Sequence, residues 1–120
     1  MEYIGKVTGT PVSKSNSYRI ITINGHASLT KTKAMKEYEE KFLWQVGTIR
    51  DANINVPFEF HIDVYFPSKR SDLDGMLKGV MDCLQKANVI KNDNNCCLIH
   101  ARKFIDKDNP RIEFKIITID

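Results

Sequence analysis

Apolar and polar positions alternate without a break from Phe58 to Phe66, so Phe58, Phe60, Ile62, Val64 and Phe66 share one face of a half-buried strand that Pro67 ends. On the opposite face His61 and Asp63 read as exposed sheet residues rather than ligands. The period then changes. Leu73, Met76, Leu77, Val80, Met81, Leu84 and Ala87 trace one continuous stripe, which predicts an amphipathic helix from Asp72 to about Asn88. A second helical pattern, carried by Met35, Tyr38, Phe42, Leu43 and Val46, predicts a helix from Lys31 to about Val46 with Thr30 as its cap.

Shorter strands are expected around these elements. Tyr3 to Gly9 reads as a strand, the Pro- and Ser-containing stretch from Thr10 to Ser17 as an irregular loop, and Tyr18 to Ile23 as a return to strand. Asn24-Gly25 is a strong turn signal for a hairpin. After the loop Lys91 to Asn95, Cys96 to Phe104 and Arg111 to Ile119 read as strands. Asp108-Asn109-Pro110 lies between them, so the two are expected to pair as a hairpin. The implied class is α+β: one domain over residues 1–120, with a small mixed sheet packed by two helices. No repeat, low-complexity tract or linker interrupts it.

Composition narrows the setting. The chain has 120 residues and 42% hydrophobic content, enough for one core without staples. No apolar run approaches a membrane span and no signal-peptide core follows Met1, so the expected location is the cytoplasm, without a membrane partner. Cys83, Cys96 and Cys97 make an odd count, and the adjacent pair is awkward for a disulfide, which fits a reducing compartment. Zinc is the sharper reading of Cys96, Cys97 and His100, but no spaced Cys-x-x-Cys pair supports it. Buried cysteines in a strand are the preferred reading.

The net charge of +3 is unevenly spread: residues 1–50 carry eight basic and four acidic side chains, residues 51–120 ten and eleven. A basic half beside a cluster of acids suits a nucleic-acid enzyme with a metal site, because phosphate and metal demand opposite signs. The cluster is Asp72, Asp74 and Asp93, with Lys78 one helical turn beyond Asp74. Hard divalent cations take oxygen ligands and leave positions open for water and phosphate. A lysine nearby meets charge developing on the phosphate. Each residue also has an ordinary reading. Asp72 and Asp74 suit the first turn of a helix, Ser71 with Asp74 resembles a capping box, Asp93 suits an Asn-rich turn, and Lys78 suits a surface pair with Asp74 or Asp82. Periodicity alone does not bring Asp93 back to the helix start.

The run Lys69-Arg70-Ser71-Asp72-Leu73-Asp74-Gly75-Met76-Leu77-Lys78, continuing through Asp82-Cys83-Leu84 to Asn92-Asp93, resembles the RusA family of Holliday junction resolvases, small cytosolic endodeoxyribonucleases often carried by prophages. The resemblance covers roughly residues 58–119 in order and spacing. It implies that Asp72, Asp74 and Asp93 are metal ligands and that Lys78 is the catalytic lysine. The N-terminal half is similar more loosely, through Pro11, Ser13, Asn16 and Tyr18 and a helix bearing Tyr38. Three positions depart from the pattern: Gly75 stands for a usual Asn, Asn92 for the first member of an acidic pair, and Asn88 for a common Gly, where Asn also accepts left-handed geometry.

The resemblance implies a Mg2+-dependent nuclease, with Mn2+ as a substitute, that acts as a homodimer on branched DNA, especially four-way junctions, and makes paired symmetric nicks in recombination or repair. Lys14, Arg19, Lys69 and Arg70 are the expected DNA backbone contacts, and Lys31 and Lys33 at the first helix are further candidates. Two other readings remain open: a branched-DNA-binding module without catalysis, and a metal-dependent phosphoesterase acting on another nucleic acid.

Overall fold

The computed structural model describes residues 1–119. The alternating segment forms one of the two inner strands of a four-stranded sheet. In chain order, β1 spans Glu2–Thr8, α1 Lys14–Ser17, β2 Tyr18–Ile23, β3 His26–Lys31, α2 Lys33–Gln45, β4 Phe58–Phe66, α3 Leu77–Lys86, β5 Cys96–Ile105 and β6 Arg111–Thr118. The sheet order is β1-β6-β4-β5, and β2 with β3 forms a separate two-stranded sheet. Strands β1 and β6, and β6 and β4, are antiparallel, whereas β4 and β5 run parallel. Parallel neighbours need a crossover. Helix α3 supplies it and covers the sheet with its apolar face.

One face of the sheet is core. Phe58, Phe60, Ile62, Val64 and Phe66 are all buried, and Ile112, Phe114 and Ile116 of β6 continue the same layer. Met35, Tyr38 and Phe42 of α2 and Val80, Met81 and Leu84 of α3 close over it. Phe114 stacks on Phe42 at 6.0 Å between centroids, and its ring lies where a Gly5 Cβ would stand, so no side chain fits at Gly5 without displacing it. The opposite face of the sheet is open. There His61 contacts Glu59 at 3.0 Å and Asp63 is held by Arg102 through two hydrogen bonds of 2.7 and 2.8 Å, so both are half-buried rather than fully exposed as expected.

Several local expectations change. Strand β5 pairs with β4 and not with β6: the link between β5 and β6 passes over the end of β4, where the Asp106 N–H donates to the Phe66 carbonyl at 2.8 Å. The physical cause is burial. Strand β6 has a full alternating apolar face and takes a central place, while β5, with Arg102 and Lys103 in succession, takes the edge. Helix α2 starts two residues later than expected because Thr30 and Lys31 remain paired with Arg19 and Tyr18; Thr32 caps it, accepting from the Met35 N–H at 3.2 Å. The irregular loop contains the single helical turn α1, closed by Asn16 N–H to Ser13 O at 3.0 Å, so the described residues form three α-helices rather than two. The Asn24-Gly25 turn is as expected, with both residues at positive φ (51° and 78°), the geometry of a type I′ hairpin. Asn88 also adopts the left-handed geometry anticipated for it, at φ 55°.

The second long helix begins differently too. Asp74–Met76 forms a 3-10 turn, α3 proper starts at Leu77, and no side chain caps either, so the Ser71–Asp74 capping box is not made. Gly75 lies within this turn. Cys83 is buried, but Cys96 is half-buried and Cys97 exposed, so the strand cysteines are not core residues. Edge placement of β5 explains this.

Candidate active site

Asp93 follows α3 through a loop that folds back on the helix. The loop is held by backbone bonds from Val89 N–H to Leu84 O (2.9 Å) and from Ile54 N–H to Val89 O (2.9 Å). Asp93 opens a 3-10 turn capped by Asn92, whose side-chain oxygen accepts from Asn94 N–H at 2.9 Å. The Asp93 N–H donates to Gln85 Oε1 at 3.0 Å, which fixes the turn against α3. Its carboxylate then reaches Lys78, with Oδ2 3.3 Å from Nζ.

Lys78 sits between two acids, because its ammonium also lies 3.2 Å from Asp82 Oδ1. The Asp82 carboxylate holds the lysine above its ordinary pKa, and Asp93 adds to the effect. Asp82 in turn accepts a hydrogen bond of 3.1 Å from Tyr18 Oη at the base of β2. Burial, reinforced by Asp82, raises the Tyr18 pKa, so the phenol stays protonated and donates. A chain of contacts therefore runs Tyr18–Asp82–Lys78–Asp93. Periodicity placed Asp82 on the Lys78 face, but nothing in it revealed that Tyr18, sixty-four residues away, would orient that acid.

Asp72 and Asp74 are both exposed at the start of the same helical segment. Among the described residues neither carboxylate has a hydrogen-bond or ion-pair partner, and no three acidic, His or Cys side chains come together as a metal cage. The structure thus joins Asp93 to Lys78 and Asp82, and leaves Asp72 and Asp74 beside them rather than in contact. The loop before Asp72 is braced by Lys103 of β5, which donates to the carbonyls of Lys69 (2.9 Å) and Ser71 and stands 5.6 Å from the centre of the Phe66 ring. No sequence signal marks Lys103 for this task, since the contact spans more than thirty residues. Ser13, near α1, approaches the same turn: its Cβ lies 4.0 Å, and the Asp72 Cβ 3.7 Å, from where a Gly75 Cβ would stand.

The four expected backbone contacts, Lys14, Arg19, Lys69 and Arg70, are all exposed. Lys14 opens α1, Arg19 lies in β2, and Lys69 and Arg70 precede Asp72. Lys31 is a correction. It belongs to β3 rather than to a helix start, and its ammonium is paired at 2.9 Å with the buried Glu39. Cys96, Cys97 and His100 do not assemble: Cys96 Sγ turns to Leu98 O at 3.5 Å, Cys97 Sγ to Phe58 O at 3.3 Å, and His100 packs beside His61 with ring centres 5.6 Å apart. No helix among the described residues is long and apolar enough to cross a membrane.

Comparison with known proteins identifies the family. The family model described as Endodeoxyribonuclease RusA matches residues 8–117. The chain is also similar to a crossover junction endodeoxyribonuclease RusA of Aquifex aeolicus (strain VF5), 32% identical over 116 residues, covering 95% of this chain and 87% of that protein. With nearly the whole chain matched and the acidic turn, α3 and the Asp93 loop inside the matched region, the chain belongs to the RusA family of endodeoxyribonucleases.

Proposed function

We propose that this protein is a Mg2+-dependent endonuclease that resolves four-way DNA junctions by paired nicks, acting in the cytoplasm as a homodimer in recombination or repair. The observation that carries the reading is the return of Asp93 to Lys78, which brings a carboxylate from beyond α3 to the end of the helix that follows Asp72 and Asp74. Family membership, and the printed activity of the Aquifex relative, supply the branched-DNA substrate.

The donor set fits a hard cation: three carboxylates, two of them exposed and without a protein partner among the described residues. Asp72, Asp74 and Asp93 would hold the metal, with Mn2+ able to replace Mg2+. When bound, such an ion polarises a phosphate oxygen and acidifies a water. Lys78 presents a fixed positive charge to the phosphate as negative charge grows on it. Asp82 and Tyr18 orient that ammonium, and Lys103 holds the loop from which Asp72 projects. Lys14, Arg19, Lys69 and Arg70 bind DNA backbone, which sets affinity and salt dependence more than sequence choice. Two-fold symmetry places one active site on each of two opposed strands.

Cutting of a synthetic four-way junction, compared with a plain duplex of the same arms and with and without Mg2+, tests the proposal. Metal-dependent cutting confined to the junction is the expected result. Junction binding with no cutting in Mg2+ would leave a DNA-binding module, and equal cutting of the duplex would leave a general phosphoesterase.

A further inference from the structure

The hairpin β2–β3 stands outside the four-stranded sheet and exposes apolar surface that nothing among the described residues covers. Ile20 and Leu29 are directly opposite each other on its two strands, so they share a face, and they are 74% and 70% exposed. Ile23 nearer the tip is 53% exposed. A two-stranded ribbon is marginally stable by itself in water. This one is clamped at its base: Tyr18 Oη on Asp82 at 3.1 Å, Lys31 on Glu39 at 2.9 Å, and Thr32 N–H on Ser17 O at 2.9 Å. Six residues of strand from that base reach roughly 20 Å.

The charge around the hairpin points to its occupant. From Lys14 to Lys36, the hairpin and its flanks, there is no acidic residue; Lys31 and Lys33 pair with Glu39 and Glu37 of α2, while Lys14, Arg19 and Lys36 have no ion-pair partner among the described residues. A second copy of the hairpin would meet it with the same sign, whereas a nucleic acid meets it with the opposite one. An isolated apolar pair has no use along an intact phosphate backbone. At a branch point it does, because apolar side chains, Leu and Ile among them, insert between base steps and hold them unstacked. The arm also starts at the acid that orients Lys78, so a strand engaged by Ile20 and Leu29 is engaged next to the candidate active site.

We infer that the β2–β3 hairpin is the branch-reading arm of this protein, with Ile20 and Leu29 packing against unstacked bases at the junction centre and Arg19 bound to the adjoining backbone. This rests on the junction-directed function proposed above. It adds the residues that tell a junction from a duplex.

The test uses the full chain in EDTA, so that binding is separated from cutting, with four-way junction and duplex probes carrying 2-aminopurine beside the branch point or at the matching duplex position. Wild-type protein should prefer the junction and raise the 2-aminopurine signal on binding. The double variant Ile20→Thr/Leu29→Thr places β-branched residues suited to strands at both positions but removes apolar surface. It should lose the signal and bind the junction roughly tenfold or more weakly, with duplex affinity unchanged. Ile20→Phe/Leu29→Phe should retain both properties. Undiminished preference and signal in the Thr variant would overturn the arm while leaving the proposed function in place. A Thr variant that changes mass by light scattering would assign the pair to subunit contact and also overturn it. A wild type that neither prefers nor cuts junctions would remove the proposed function, and the arm with it.

Discussion

Lys78 has two carboxylate partners in the folded protein, and that geometry sharpens what its loss should do. Its ammonium is held above the usual lysine range by Asp82 first and Asp93 second, so it remains charged through the neutral range. Lys78→Met should lower the single-turnover cutting rate at saturating enzyme by about a hundredfold or more, the scale for losing one electrostatic donor at a reacting phosphate. Its pairs are on the surface, so stability should change by only a few tenths of a kcal/mol. An unchanged bound-state rate would return Lys78 to the helix surface. Asp72→Asn, Asp74→Asn and Asp93→Asn should each abolish cutting while junction binding holds or tightens, and wild-type rates in any one would remove that residue from the metal site. Asn92→Ala is a milder change. It should keep most activity, since a neutral amide adds no charge to the site, and cost about 0.5–2 kcal/mol of local stability, because the amide caps the turn carrying Asp93. Loss as deep as in Asp93→Asn would show that the acidic position is misassigned.

At the level of elements, the edge strand β5 and the acidic turn act on each other through Lys103. Two carbonyls of the turn converge on its ammonium, and removing that donor frees the loop that carries Asp72. Lys103→Met should raise the Mg2+ concentration needed for half-maximal cutting by about tenfold, with junction binding in EDTA unchanged. A uniform loss of activity at every metal concentration would point to a folding defect instead. The packing of α2 offers a separate check. Tyr38 Oη is buried with no hydrogen-bond partner among the described residues, and burial drives its pKa well above the ordinary tyrosine value. Tyr38→Phe removes a desolvated hydroxyl while keeping the ring against Phe42, so it should leave stability equal or raised by up to about 1 kcal/mol in urea unfolding. A marked loss of stability would mean that the hydroxyl is hydrogen-bonded after all.

Across the whole molecule, stability should fall at both ends of the pH scale for identifiable reasons. Asp106 is held below its ordinary value by Arg111, so its contribution is present above about pH 4 and is lost as pH falls through the depressed value. Lys31 is held above its ordinary value by Glu39, so its contribution is present below about pH 10 and is lost as pH rises through the raised value. Urea midpoints should therefore be flat through neutrality, and Lys31→Met should flatten the alkaline limb only; an altered acid limb would contradict the assignment. The pattern of the chain alone determined β4, the apolar stripe of α3, the Asn24-Gly25 turn and the acidic motif, because each is a short-range periodicity or a fixed spacing. Tertiary structure decided the rest. Whether β5 or β6 takes the inner place between β1 and β4 depends on which strand buries a complete face, which is settled by competition for the core and not by the turn between them. The Lys103 brace and the Tyr18–Asp82 bond join positions far apart in the chain. Such contacts leave no periodic trace, because they need only one atom from each distant segment to arrive at the same place.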